Sequence, residues 1–129
     1  GQLTYERQGL VKVLDLGEWW DEETGGLPLP LGANAVRRDL GDDVMARLSR
    51  LLRESIRYGL EHRDAALAHA ARYGRGLDAD LNDRFVAMYV NDRTLDYGED
   101  GRRAVAELLS RGKEAGLIGA DVPVDWVED

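Results

Sequence analysis

The chain has 129 residues, no cysteine and a net charge of −8, a length suited to one ordinary domain, and its 43% apolar content allows a packed core. The acidic balance argues against binding a nucleic-acid backbone, because the arginines at Arg37–Arg38, Arg47–Arg57 and Arg102–Arg103 are each interleaved with Asp or Glu. Disulfides, thiolate metal sites and cysteine nucleophiles are excluded, and no apolar run reaches the roughly 20 residues of a membrane span.

In chain order, Gln2 to Gln8 is polar and is broken by Gly9. Leu10-Val11-Lys12-Val13-Leu14 follows, a short apolar run with two valines that reads as a buried strand. Asp15 has the character of an N-cap, with Glu18 placed to complete a capping box, and the helix Leu16 to Thr24 is stopped by Gly25 and Gly26. Trp19 and Trp20 are adjacent on that helix, so one is expected to face the core and the other a rim or a partner lobe. Leu27-Pro28-Leu29-Pro30-Leu31 cannot be a central strand, since each proline removes a ladder donor. It is expected to be extended and stiff, as a hinge between lobes or an edge strand would be, with Gly32 permitting a close backbone approach and Ala33 to Arg37 resuming a strand-like run.

Gly41 and Asp42 open the longest helix, in which Val44, Leu48, Leu51, Leu52, Ile56 and Leu60 form one apolar stripe. A second, alanine-rich helix spans about Arg63 to Tyr73. A third is capped by Asp78 and turns Leu81, Phe85, Met88 and Tyr89 inward. After a polar turn region at Asn91 to Asp100, a fourth runs from about Glu99 to Ala115 with Val105, Leu108 and Leu109 inward. Gly116-Leu117 reads as a Schellman stop with its hydrophobic contact, and Trp126 docks the tail.

Few residues carry a chemical signal. Gly74-Arg75-Gly76 lacks the third glycine and the preceding strand of a dinucleotide turn. His62 and His69 have no set of ligands at metal-binding spacing around them, and Asp96, Glu99 and Asp100 read as helix-start charges. Ser49, Ser55 and Ser110 are all within helices, away from any nucleophile elbow. Asn34 differs, because an amide in an apolar run beside Gly32 needs partners. Gln2, Thr4, Asn91 and Thr94 are weaker cases of the same kind. Residue pattern alone yields an α/β piece, with a few short strands and then four helices.

The stretches LVKVLDLGEWWDEETG, LPLPLGANAVRRDLG, SRLLRESIRYGLEHRDAAL and ARYGRGLDADLNDRFVAMYVNDRTLDYGEDGRRAV resemble, in order and over nearly the whole chain, the 1,4-dihydroxy-6-naphthoate synthase family of the futalosine route to menaquinone. The resemblance implies a periplasmic-binding-protein-like fold of two α/β lobes around a cleft. Only its C-terminal part would be present: residues 1–29 ending one lobe, and residues 30–129 returning to the other with a helical cap. It implies a lyase acting in the cytoplasm on cyclic dehypoxanthinyl futalosine, a small-molecule substrate, with no metal, no organic cofactor, no nucleic acid and no membrane. Pairing into a homodimer is also expected, from the unpaired strand edges of half a cleft.

The family's proton acceptor is a histidine in a His-Glu-Gly-Gln stretch. Gly1 and Gln2 match the end of that stretch, so the histidine is expected just upstream of Gly1 and no catalytic residue is assigned within the chain. Gln2, Thr4 and Asn34 are the expected substrate-binding residues. Ala33 departs from the glycine expected beside Gly32, and its methyl would crowd a ligand. The alternatives are the related chorismate dehydratase, a non-catalytic solute-binding protein of the same fold, and a helical interaction module marked by Trp19, Trp20 and Trp126.

Overall fold

Asp15 begins the first helix as its chemistry dictates. Its backbone is extended (φ −107°, ψ 117°), and its carboxylate accepts from the Gly17 and Glu18 amides at 2.9 and 3.4 Å. Two of the orphan donors at the helix N-terminus are thereby satisfied. Helix α1 (Leu16–Thr24) ends where Gly25 turns left-handed at φ 68°, and the Gly26 amide donates back to the Asp21 carbonyl at 2.8 Å. Among the described residues five further helices follow: α2 (Asp42–Glu61), α3 (Arg63–Ala70), α4 (Ala79–Tyr89), α5 (Asp92–Leu95) and α6 (Gly98–Glu114). Single 3₁₀ turns lie at Glu6–Gln8, Arg38–Leu40 and Ala71–Tyr73. This computed structural model describes residues 3–73 and 78–127.

The expected α/β fold is not what forms. All regular structure among the described residues is helical, with no strand and no sheet, so the two-lobe architecture of strands and helices is overturned. Leu10–Leu14 and Ala33–Arg37 are irregular instead. The physical reason is visible in their surroundings. Leu10, Val11, Val13 and Leu14 are 58%, 81%, 93% and 63% exposed, so neither face of the run is buried. A strand is stabilised by ladder bonds and cross-strand side-chain pairs, and both need a neighbour. Apolar, β-branched composition marks the wish for burial; it does not supply the partner.

The chain divides into two compact units. One comprises Gly1–Val13 and Arg50–Asp96, the other Leu14–Ser49 and Tyr97–Asp129. In the first, α3 packs on α4, with Leu81 and Asn82 buried. The Arg63 guanidinium meets the Asp83 carboxylate at 2.6 and 2.7 Å and joins the two helices. A groove of about 300 Å³ lies among Ile56, Leu60, Leu67, Val86 and Val90, with Arg63 at its side. In the second unit, Trp20 (2% exposed), Leu27 and Ala104 are the buried apolar residues among those described, and Gly101 is buried one turn before Ala104 on α6. Trp19, by contrast, is 43% exposed, as the paired-tryptophan reading anticipates.

Several inward assignments are looser than expected. Phe85, Tyr89 and Leu108 remain partly exposed at 41%, 46% and 37%, as does the α2 stripe at Val44, Leu48, Leu51 and Leu52. The polar region after α4 contains α5, whose Asn91 and Thr94 form a reciprocal capping box. At the end of α6, the Leu117 amide donates to the Gly112 carbonyl at 2.9 Å, closing the expected stop. The hydrophobic contact there is made by Ile118, packed tightly over Gly112, while Leu117 is 83% exposed.

Candidate functional site

Residues 27–37 form an irregular strap in the second unit, and its anchoring can be followed residue by residue. Trp20 starts it: the buried indole N–H donates to the Pro28 carbonyl at 3.1 Å. Thr24 donates its hydroxyl to the Trp20 carbonyl at 2.7 Å and accepts from the Leu27 amide at 3.2 Å, which fixes the turn out of α1. The Arg111 guanidinium lies 5.2 Å from the Trp20 ring centroid and donates to the Glu23 carbonyl at 3.2 Å and to the Glu107 carboxylate at 2.8 Å. A cation over an indole face is attractive.

Further along, the Tyr97 hydroxyl donates to the Gly32 carbonyl at 3.0 Å. The Tyr97 ring stands 4.9 Å from the Trp126 ring at an interplanar angle of 56°, and Arg102 lies 5.1 Å over the other ring of that pair, Trp126. Tilted aromatic pairs of this separation are favourable beyond the area they bury. Where the strap enters the Arg38–Leu40 turn, Arg38 pairs with Asp125, the residue before Trp126. The C-terminal tail thus pairs with Arg38 just past the strap through Asp125, and through Trp126 it packs on Tyr97, whose hydroxyl meets Gly32. The expectation that Trp126 docks the tail holds.

Asn34 lies between these attachments, exposed on the strap. Its amide can both donate and accept, which suits a polar small molecule. Ala33 beside it is exposed as well. A Cβ added at Gly32 would meet nothing within 4 Å, so the close approach there is to the carbonyl and not to the α-carbon. Thr4 is half-buried and belongs to the other unit. Gln2 lies outside the described residues, as does Gly74-Arg75-Gly76. Tyr97 is the residue that sequence reading missed. It sits inside a stretch read as a polar turn, and its only signal is an aromatic among acids and glycines ahead of a helix.

Both histidines make local aromatic contacts. His62 stacks on Tyr58 with centroids 3.9 Å apart, its Nδ1 3.0 Å from the Tyr58 carbonyl, and His69 lies 5.5 Å from Tyr73. Glu99 and Asp100 occupy the first turn of α6, where the helix dipole favours acids. No group of acids and histidines able to hold a metal occurs among the described residues.

Residues 1–114 match the family described as menaquinone biosynthesis. The chain is 45% identical over 116 residues to a 1,4-dihydroxy-6-naphthoate synthase of Thermus thermophilus, covering 90% of this chain and 42% of the relative. It is 39% identical over 119 residues to the enzyme of the same name from Streptomyces coelicolor, covering 92% of this chain and again 42% of the relative. A crystal structure of a protein from Archaeoglobus fulgidus superposes with a TM-score of 0.86 at 46% identity, over 92% of this chain and 44% of that one. The chain therefore spans less than half the length of the curated relatives it matches. With the match running from the first residue through all of α6, the chain belongs to the menaquinone biosynthesis family.

Proposed function

We propose that this chain supplies part of the substrate-holding surface of an enzyme that converts cyclic dehypoxanthinyl futalosine to 1,4-dihydroxy-6-naphthoate. The observation that carries this reading is the 45% identity to the Thermus naphthoate synthase, maintained over 90% of the chain. Asn34 is the group we assign to the substrate: an exposed amide on a strap anchored on both sides of it. Thr4 and Gln2 are assigned the same kind of role, as hydrogen-bonding groups toward the substrate or the base. The base itself is a histidine in the portion of the relatives that this chain does not span. His62 and His69 are given no catalytic part, since their rings are engaged with Tyr58 and Tyr73. The reaction is a lyase step in the cytoplasm, and the reading calls for neither metal nor organic cofactor.

The experiment joins residues 1–129 to the remaining part of the Thermus relative and assays the product. Release of 1,4-dihydroxy-6-naphthoate is the expected result. Consumption of chorismate in place of the futalosine derivative points to the dehydratase instead. A well-folded joined protein that turns over neither compound overturns the assignment.

A further inference from the structure

We infer that Tyr97 is a positioning residue for the substrate-facing strap: its hydroxyl, braced by Trp126, fixes the backbone from which Asn34 projects. The inference deepens the proposed function and rests on the assignment of Asn34 to the substrate. Its basis is geometric. Residues 27–37 have no helix or ladder to hold them, so their position depends on individual attachments. Among the described residues, two attachments to the C-terminal part of the same unit follow the prolines, one at Gly32 and one just past the strap at Arg38. Tyr97 donates to the Gly32 carbonyl at 3.0 Å, and Arg38 pairs with Asp125. Asn34 lies between them and is exposed.

The two attachments are unequal. Arg38 and Asp125 are 69% and 61% exposed, so their attraction is screened by solvent and weak. Tyr97 is half-buried, with its ring against Trp126 and its Cβ 3.2 Å from where a side chain at Gly101 would begin. The Gly101 amide also donates to the Tyr97 carbonyl at 3.2 Å. The tyrosine is thus held by the first turn of α6 and by the tail, and only its hydroxyl is directed to the strap. A rigid side chain fixing a backbone carbonyl two residues before a binding group is how that group is kept in one place by a residue that does not touch the ligand itself.

Tyr97→Phe tests this, because it keeps the ring packing and deletes only the hydroxyl. Two readouts are needed. In ¹⁵N relaxation measurements, the order parameters of Ala33 to Val36 are expected to fall from near 0.85 toward 0.6 or below in the variant, while those of α6 stay unchanged. In the joined enzyme, KM is expected to rise about threefold to tenfold, the loss of one hydrogen bond, with kcat held within about twofold. The double variant Tyr97→Phe/Asn34→Ala is expected to show a KM no higher than Asn34→Ala alone, since both act through one group. If Asn34→Ala raises KM but Tyr97→Phe changes neither KM nor the order parameters, the positioning role is overturned and the reading of Asn34 stands. If Tyr97→Phe loosens the strap while neither substitution changes KM, the reading of Asn34 fails and the positioning role fails with it. A drop in kcat with unaltered KM also overturns the proposal, because that pattern belongs to a group acting in the transition state.

Discussion

Trp19 and Trp20 differ by one position and by nearly everything else. Trp20 is 2% exposed, donates to the Pro28 carbonyl and lies under Arg111; Trp19 is 43% exposed. Adjacent residues on a helix point about 100° apart, so the sequence requires that only one of them face inward. Which one is decided by what the next segment brings, here the Pro28 carbonyl. Replacing Trp20 with Phe removes the indole donor and leaves that carbonyl without its partner. The expected cost is about 1–3 kcal/mol in chemical denaturation. Trp20→Ala is expected to cost about 3–5 kcal/mol, as for other large buried aromatics, and Trp19→Ala less than about 1 kcal/mol. Equal effects at the two positions contradict the assigned core. Asn34 could be singled out from sequence because a polar amide in an apolar run is unusual. Tyr97 could not, because its partner is a backbone carbonyl 65 positions earlier in the chain.

Among the elements, helix boundaries were the most legible because their signals are local. Asp15 and Gly25 bound α1 and Asp78 caps α4 as read, each through bonds to residues within a few positions. Asp15→Ala is expected to lower stability by about 1 kcal/mol, measured by thermal or urea unfolding. Helix α5 escaped detection because four residues are too short to show a period, although Asn91 and Thr94 already held its capping box. The two strands were misread for the opposite reason. A strand is a relation between segments, and Leu10–Leu14 carries the composition without the partner. At the end of α6 the turn type was legible and the contacting residue was not. Ile118→Ala is expected to destabilise by about 1–2 kcal/mol, a half-buried share of a full aliphatic truncation, whereas Leu117→Ala stays within about 0.5 kcal/mol. A reversed order shows that the hydrophobic contact has been assigned to the wrong residue.

For the molecule as a whole, the decisive facts are exposed apolar side chains and partial span. Val11 and Val13 are 81% and 93% exposed, Leu51 is 58% exposed, and the chain covers 42% of its curated relatives. Exposed apolar runs without edge protection invite association. The 129-residue chain is accordingly expected to self-associate with rising concentration, and Val11→Lys/Val13→Lys to shift it toward monomer, as followed by sedimentation velocity. Unchanged association in that variant removes Leu10–Leu14 as the cause. The same partial span explains how family membership can be plain while catalytic groups go unassigned within the chain. Long matching segments identify relatives, but a site assembled from distant parts of a chain is not contained in any one of them.

Whether Asn34 meets substrate is tested most directly by steady-state kinetics of the joined enzyme with and without Asn34→Ala. The predicted result is naphthoate formation by the parent and a KM at least fivefold higher in the variant, about the worth of a single polar contact. A variant that keeps the parent's KM and kcat, with its fold intact, contradicts the placement of the substrate against this strap.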